Sequence, residues 1–434
     1  MFMNNQNMVT GILSHTNNHT CSDQDQVDEY WMRIALSLAK RGEFTTSPNP
    51  CVGCVIVKDS RILGQGFHVK AGQGHAEVNA LRNADENGAD VTGSTVYVTL
   101  EPCSHYGRTP PCALSLVKRG VARVVAAMAD PNPQVSGKGF KILQNAGIEV
   151  KCGVLSGEAE ELNREYLFRM RQGRPWVQLK LACSLDGRIA LANGESKWIT
   201  SPEARQDVQI FRARSSAILT TSRTVLADDP FLNVRKGDLP SEVADQYPLP
   251  ELRQPDVILL DSLQAVTVDR KLFQENRRII WIVASQDPSG EGTVNAYECS
   301  HAVSSSDKII ICQMNGDNPV IRDSHNRDHS PVNKVSSPGN YYLKPLLEKM
   351  ATLDINSIFV EAGSQLAGSL IRQNLVDELI IYMAPKFLGC DGKSIVDLCG
   401  YQSLTEVPEF QIVSSQQIGA DLRIILRRKD QEKQ

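Results

Sequence analysis

No stretch of the 434-residue chain approaches the ~18 consecutive apolar residues that a membrane helix requires, so no membrane partner is expected. The first 27 residues, Met1 to Val27, hold no lysine or arginine. They match neither the basic start of a secretory signal nor an Arg-rich transit peptide. Rich in Asn, Gln and Thr, residues 1–27 read as a disordered tail. Nor does one sign of charge dominate. Lys and Arg number 46 against 50 Asp and Glu, a net charge of −4, which speaks against a basic nucleic-acid-gripping surface. The eleven cysteines are odd in number and irregularly spaced, unlike a disulfide framework. They imply free thiols in a reducing, cytoplasmic setting, some available to a metal. Short-period repeats are absent.

What is present is an ordinary globular composition, 41% hydrophobic and 22% charged, at a length suited to two domains. Helical periodicity begins at Asp28 and runs to Lys40, with Trp31, Ala35 and Leu38 on one stripe. A Pro48-Asn49-Pro50 turn follows. Strands are expected at Val52–Val57, Arg61–Phe67, Thr95–Thr99, Ala122–Met128 and Ile148–Cys152. Helices are expected at Ala76–Asn83, Ala113–Arg119 and Lys141–Gly147, and a single charged helix at Glu158–Arg171. This alternation predicts a layered α/β unit over residues 28–172. Gly173-Arg174-Pro175 marks the boundary. A second alternating unit, residues 173–430, has strands at Trp176–Ala182, Ala217–Thr220, Val257–Leu260, Ile279–Val283, Ser357–Val360 and Glu378–Ala384. Helices near Glu203–Arg214 and Gln365–Gln373 lie between them. Residues 285–340 read as a loop-rich insertion, relieved by a short strand at Lys308–Cys312.

The first unit holds a metal constellation: His75-Ala76-Glu77, then Pro102-Cys103, then Cys112. One imidazole and two thiolates give zinc three ligands, the count that leaves a fourth position open for water. Zinc then makes hydroxide available near neutral pH, with Glu77 as proton shuttle and not a ligand. Residues i and i+2 share no face in mid-helix, so His75 and Glu77 must flank a helix start after Gly74. Cys112 likewise opens a helix after Pro110-Pro111, where the positive helix end favours thiolate. Cys51, Cys54, Cys183 and Cys390 read as small core residues, and His68 and His105 as polar surface. The order His-x-Glu, Pro-Cys, Cys is the zinc nucleobase-deaminase signature. Here eight residues separate the cysteines where the signature has two, which points to a different substrate loop. Deamination of a base in a polynucleotide is the alternative within that class; the acidic net charge and the second unit argue against it.

Longer segments carry a more specific resemblance. They are Thr99-Leu-Glu-Pro-Cys-Ser-His-Tyr-Gly-Arg-Thr-Pro-Pro-Cys112, Pro48-Asn-Pro-Cys-Val-Gly-Cys-Val-Ile-Val57 and Asp130-Pro-Asn-Pro-Gln-Val135 in the first unit. In the second they are Leu179-Lys-Leu-Ala-Cys-Ser-Leu-Asp-Gly-Arg188, Trp198-Ile-Thr-Ser201, Thr224-Val-Leu-Ala-Asp-Asp-Pro230 and Val360-Glu-Ala-Gly363. Together they resemble the bifunctional riboflavin-biosynthesis deaminase–reductase family, from about Asp28 to the strand Leu422–Leu426. The resemblance implies a cytidine-deaminase-like domain followed by a dihydrofolate-reductase-like α/β domain. It implies hydrolytic deamination of a phosphoribosyl-pyrimidine, then reduction of its ribosyl group with NADPH. It assigns His75, Cys103 and Cys112 to zinc, Glu77 to proton transfer and Asn49 to orienting the pyrimidine. It also implies a homo-oligomer.

The second unit has no Gly-x-Gly-x-x-Gly turn after its first strand, so a Rossmann site is unsupported. Instead Glu361 to Ser369 follows a strand and opens a helix, where backbone N–H groups can bind phosphate. By resemblance Gly363, Ser364, Gln365, Leu366, Ala367, Gly368 and Ser369 form the NADP-binding loop. Ala182, Trp198, Thr224 and Asp228 fall at further cofactor positions, and Ser196, Arg212, Leu232, Arg235 and Glu361 at substrate positions. Arg212 and Arg235 are the planar forks suited to a sugar phosphate. Lys180, Asp228 and Glu361 are the candidates to deliver a proton to the opening ring oxygen.

Overall fold

The computed structural model describes residues 23–106, 110–132, 136–262, 264–284, 297–301, 309–314 and 343–429. The tail expected over residues 1–27 lies outside these up to residue 22. Residues 23–27 do not belong to it: the first helix, α1, spans Asp23–Lys40. Its start is set by Asp28, which is buried and bound by Arg123 and Lys151 of the sheet beneath. That tertiary anchor extends the helix one turn beyond the apolar pattern.

The first half is a three-layer sandwich. Its strands are β1 (Gly53–Lys58), β2 (Arg61–Phe67), β3 (Thr95–Val98), β4 (Arg123–Ala126) and β5 (Glu149–Cys152), in the order β2-β1-β3-β4-β5. β2-β1-β3 is antiparallel and β3-β4-β5 parallel. Alternate residues of each strand face opposite layers. Cys54, Ile56, Val96, Val98 and Val124 pack on helices α2 (Ala76–Glu86), α3 (Cys112–Lys118) and α4 (Lys138–Asn145). Val55, Val57, Tyr97 and Val125 pack on α1 and on α5 (Ser156–Leu162) and α6 (Arg164–Gln172). α2 lies hard against β2 because β2 carries glycine there: a Cβ on Gly66 would stand 2.5 Å from the backbone nitrogen of Ala80.

The single helix expected over Glu158–Arg171 is two. Asn163 breaks it, since its carboxamide is spent on another chain segment. Its Oδ1 accepts from the Cys51 N–H at 2.7 Å and its Nδ2 donates to the Cys51 carbonyl at 2.9 Å. The backbone departs from helical angles at this residue, with φ −110° and ψ 18°, where the side chain is tied to Cys51.

The second half is built on a ten-stranded sheet. Its strands are β6 (Trp176–Ser184), β8 (Ala217–Thr221), β9 (Asp256–Leu260), β10 (Ile279–Ala284), β11 (Tyr297–His301), β12 (Ile309–Met314), β13 (Ser357–Val360), β14 (Glu378–Ala384), β16 (Phe410–Ile418) and β17 (Asp421–Arg428). They run in the order β11-β12-β10-β9-β8-β13-β6-β14-β17-β16. The strand expected at Lys308–Cys312 is β12, and β11 is a second one within the insertion; the remainder of the insertion is outside the described residues. β7 (Arg188–Ala190) and β15 (Lys393–Ser394) form a small ribbon. Helices α7 (Pro202–Arg214), α8 (Ser222–Asp228), α9 (Ser241–Gln246), α10 (Leu343–Thr352) and α11 (Ser364–Arg372) complete the half. One face of the sheet packs on α10 and α11, the other on α7.

From β12 to β14 the strands are parallel. Chain connections lead from β8 outward to β9, and from β13 across β6 to β14. Such a reversal opens a crevice at the carboxyl ends of the strands, where α/β sheets bind ligands.

Candidate active sites

His75 stands at the N-cap position of α2, and Cys112 is the first residue of α3 after Pro111. Two helix starts therefore meet, as the spacing of these residues predicts. His75 Nδ1 lies 3.5 Å from Cys103 Sγ and 3.4 Å from Cys112 Sγ. Tetrahedral zinc, with bonds of about 2.3 Å to sulfur and 2.0–2.1 Å to nitrogen, places N and S ligands about 3.5 Å apart. The donor set fits zinc. Among the described residues these three form the one cluster that could hold a metal, and Glu77 is not part of it.

Electrostatics follow from the crowding. The Cys103 thiol is drawn down to about 4, first by its contact with Cys112, against its burial, then by His75 and the Cys112 N–H. Cys112 is pushed the other way, first by the same neighbour and then by burial. Glu77 is buried, and its carboxyl rises to about 7, mainly by burial and then by repulsion from Cys103.

Two residues support this centre without having been singled out in the sequence. His68, read as polar surface, is buried. Its Nε2 lies 3.0 Å from Asn49 Nδ2 and its Nδ1 3.1 Å from the Gly74 carbonyl, and its ring meets His75 edge-on at 5.6 Å. Burial lowers its pKa, so the neutral ring accepts from Asn49 and donates to Gly74. Its position at the end of β2, just before the His75 helix, is the signal that marks it. Glu101, beside Pro102-Cys103, is also buried. It accepts from the N–H groups of Gly137 and Gly139, both at 2.9 Å, and of Asp130 at 3.3 Å. It ties the Cys103 loop to the start of α4. Of the cysteines read as core, Cys51, Cys54 and Cys183 are buried. Cys390 is exposed, because Gly389-Cys390-Asp391 lies in an outer turn and not in a strand.

The second site lies at the carboxyl ends of β6, β8 and β13. Glu361, just past β13, meets Arg212 of α7 in a two-pronged pair: Nε to Oε1 at 2.5 Å and Nη2 to Oε2 at 2.9 Å. Arg212 Nη1 donates to the Asn233 carbonyl at 3.1 Å. The fork read as a phosphate clamp is thus turned to a carboxylate. Arg235 likewise pairs with Asp238. Lys180 of β6 feels both members of the Arg212–Glu361 pair. Burial lowers its pKa, Glu361 opposes that, and Arg212 adds to it. Glu361, although buried, is held below the usual carboxylate range by Arg212 and then by Lys180.

Ala182 follows Lys180 on the same side of β6. Leu232 is buried with a left-handed backbone, φ 50°, and its carbonyl accepts from Arg277 at 2.5 Å. Lys197 and Asp228 are paired at 2.7 Å, and Ser196 is exposed on the same loop. Trp198, 65% exposed, is backed by the Arg205 guanidinium 4.4 Å from its ring centre. Thr224 receives a cap from the Thr221 hydroxyl at the start of α8. At α11, Gly363 is the exposed N-cap, Ser364 and Gln365 are in the first turn, and Gln365 accepts from Arg223 at 3.0 Å. Leu366, Ala367, Gly368 and Ser369 are buried in that helix, so only its start faces the crevice.

Comparison with known proteins fits both halves. Residues 25–128 match the model of the cytidine and deoxycytidylate deaminase zinc-binding region. Residues 175–424, more than half the chain, match the RibD C-terminal domain. Riboflavin biosynthesis protein RibD of Escherichia coli strain K12 is 48% identical over 91% of this chain and 98% of its own. The chain belongs to the RibD family. RibD of Haemophilus influenzae is 47% identical over 93% of this chain and 97% of its own. The solved RibD of Acinetobacter baumannii, form 1, superposes with a TM-score of 0.76 at 38% identity, covering 93% and 99% of the two chains. A deaminase/reductase structure from Thermotoga maritima gives 0.71 at 31% identity over the same shares. As a RibD protein the chain is a bifunctional deaminase and reductase of riboflavin biosynthesis, with zinc and NADPH as cofactors. Among the described residues no helix is long and apolar enough to cross a membrane.

Proposed function

We propose that the two sites act in turn on 2,5-diamino-6-(5-phosphoribosylamino)pyrimidin-4-one, giving 5-amino-6-(5-phosphoribitylamino)uracil. The name of the Thermotoga maritima structure, a diaminohydroxyphosphoribosylaminopyrimidine deaminase/5-amino-6-(5-phosphoribosylamino)uracil reductase, supports this substrate. The observation that carries the first step is Glu77, buried against His75, Cys103 and Cys112. Zinc held by those three would supply an acidified water. Glu77 takes a proton from the attacking water and returns it to the exocyclic amine, which leaves as ammonia. Asn49, its Nδ2 engaged by His68, keeps its carboxamide oxygen for the pyrimidine edge.

In the second step NADPH would supply the hydride to the ribosyl carbon. Gly363, Ser364 and Gln365 offer their backbone to its phosphates, and Ala182, Trp198, Thr224 and Asp228 line the rest of its path; Leu366 to Ser369 act by packing that helix. Ser196, Arg212, Leu232, Arg235 and Glu361 surround the sugar phosphate. Of the three proton-donor candidates, Glu361 is fixed as an anion by Arg212, and Asp228 is exposed and paired with Lys197. Lys180, beside the Arg212–Glu361 pair, is the remaining candidate and the donor to the opening ring oxygen. We assign residues 28–172 to deamination and 173–430 to reduction. The long exposed edge strand β16, with Ile412 and Val413 turned to solvent, supports a homo-oligomer. Eight free cysteines among the described residues support a cytoplasmic setting.

The test is a pair of assays on one preparation, ammonia release and NADPH oxidation. Glu77→Gln is expected to lose about 10²- to 10⁴-fold in ammonia release with zinc retained and with reduction of separately supplied deaminated intermediate intact. Lys180→Met is expected to do the reverse. Ammonia release by Glu77→Gln at the parent rate ends the first reading, and NADPH oxidation by Lys180→Met at the parent rate ends the second.

A further inference from the structure

The segment that leads to Asn49 is held largely from outside its own sheet. Arg214 Nε lies 2.9 Å from Glu43 Oε1. Arg253 Nε donates to the Phe44 carbonyl at 3.0 Å. The hydroxyls of Ser47 and Ser216 are 2.8 Å apart, and Asn356 Nδ2 donates to the Pro48 carbonyl at 2.8 Å. All four outside partners belong to the reductase half. A cavity of about 50 Å³ adjoins this seam, bounded by Asn49 and Cys51 on one side and Gln178 and Asn356 on the other.

The last contact matters most. The Pro48 carbonyl and the Asn49 nitrogen share one planar peptide unit. Asn356 binds that plane at its oxygen, and the Thr46 carbonyl accepts from it at its N–H, at 2.8 Å. Fixing both ends fixes the direction in which Asn49 leaves the backbone. From Asn49 the chain of contacts continues through His68 to Gly74, the residue before His75. Asn356 itself is anchored: its N–H donates to Ser216 Oγ at 3.1 Å. It precedes β13 at the end opposite Glu361, away from the reductase site.

We propose that Asn356 is a positioning residue for deamination: through the Pro48–Asn49 peptide, the reductase half sets the group that orients the pyrimidine. This rests on the reading of Asn49 given above. The test uses the full-length zinc-loaded protein. Asn356→Asp keeps the shape but sets a carboxylate oxygen against the Pro48 carbonyl, and Asn356→Ala removes the donor. Losing one buried hydrogen bond is expected to raise the deamination KM about fivefold to tenfold in both, with kcat changed by less than about twofold. Zinc content and both kinetic constants of NADPH-dependent reduction stay at parent values, which a general loss of folding would not allow. An unchanged deamination KM in both variants, or a parallel fall of both activities in both, overturns the proposal. Asn49→Ala, measured alongside, separates the two claims. If it raises KM and the Asn356 variants do not, the coupling alone fails; if it leaves KM unchanged, the role of Asn49 fails and this proposal with it.

Discussion

Replacing Glu361 with Gln tests the reductase site most directly, because one substitution has two separately measurable effects. Both side chains of the Arg212–Glu361 pair are 14% exposed, and both carboxylate oxygens are committed to the guanidinium. The amide keeps the volume, removes the charge and turns N–H groups toward one arginine nitrogen. Breaking one side of a buried pair costs about 3–5 kcal/mol, since the other charge is left without compensation. That loss should appear in urea denaturation of the reductase half. The second effect concerns protonation. Burial already lowers Lys180, and the Glu361 carboxylate works against that lowering. Without the carboxylate, Lys180 falls further and loses its proton at a lower pH. If protonated Lys180 delivers the proton, kcat for NADPH oxidation must decline at lower pH in the variant than in the parent. The assay is the kcat–pH profile of NADPH oxidation, with ammonia release as control. An alkaline limb that stays in place, or moves upward, refutes Lys180 as donor. Equal loss of ammonia release would show that the effect is not local.

Two further outcomes test the first half. Asp28 is fully buried and accepts from Arg123 at 2.7 and 2.9 Å, from Lys151 at 2.7 Å and from Tyr97 at 3.0 Å. Burial pushes its pKa up, but the bonds from Arg123, Lys151 and Gln24 outweigh this and hold it far below the usual range. A depressed folded-state pKa gives stability that is complete above the unfolded value, near 4, and lost as pH falls below it. Asp28→Asn should therefore cost about 3 kcal/mol at neutral pH, and the gap to the parent should narrow as pH drops below about 4; a gap independent of pH would contradict the assignment. Gly139→Ala would place a Cβ 1.9 Å from the Pro102 carbonyl. The Cys103 loop must then shift, with a stability loss of about 1–3 kcal/mol and reduced zinc retention and ammonia release; unchanged zinc content under competition with a chelator would show that the loop is not held there.

The clustering of His75, Cys103 and Cys112 was legible because two of its members sit at local events. His75 and Cys112 each open a helix, and helix starts leave marks in neighbouring residues: Gly74 before one, Pro110-Pro111 before the other. Strands with continuous apolar runs, such as β6, β8 and β9, were legible for the same reason. What escaped the sequence depends on partners far along the chain. Asn163 breaks a helix for the sake of Cys51, 112 residues earlier. His68 is buried by the meeting of β2 with α2, and the one mark it carries in the sequence is its place between the β2 strand and the His75 helix. Arg212 was read as a fork for a sugar phosphate, and the carboxylate it meets in the fold, Glu361, is 149 residues away. Residue type announces what a side chain can bind; only topology supplies which partner arrives.

The parallel sheet of the reductase half also explains how two chemistries share one chain without merging. Its strand starts, at Ser216, Asn356 and Ser357, face the deaminase turn, while Thr221 and Glu361 stand at its strand ends, level with Lys180 of the longer β6. From Asn356 to Glu361 is five residues of extended chain, roughly 16 Å. In the function proposed above, the amino ends serve as a scaffold for one reaction and the carboxyl ends as the site of another. A change confined to the carboxyl ends, such as Glu361→Gln, leaves every contact with Glu43 to Pro48 in place. A change at the amino ends, such as Asn356→Asp, leaves the Arg212–Glu361 pair in place. Each activity is therefore a folding control for substitutions aimed at the other, and a variant that lowers only one has been assigned to its end of the sheet.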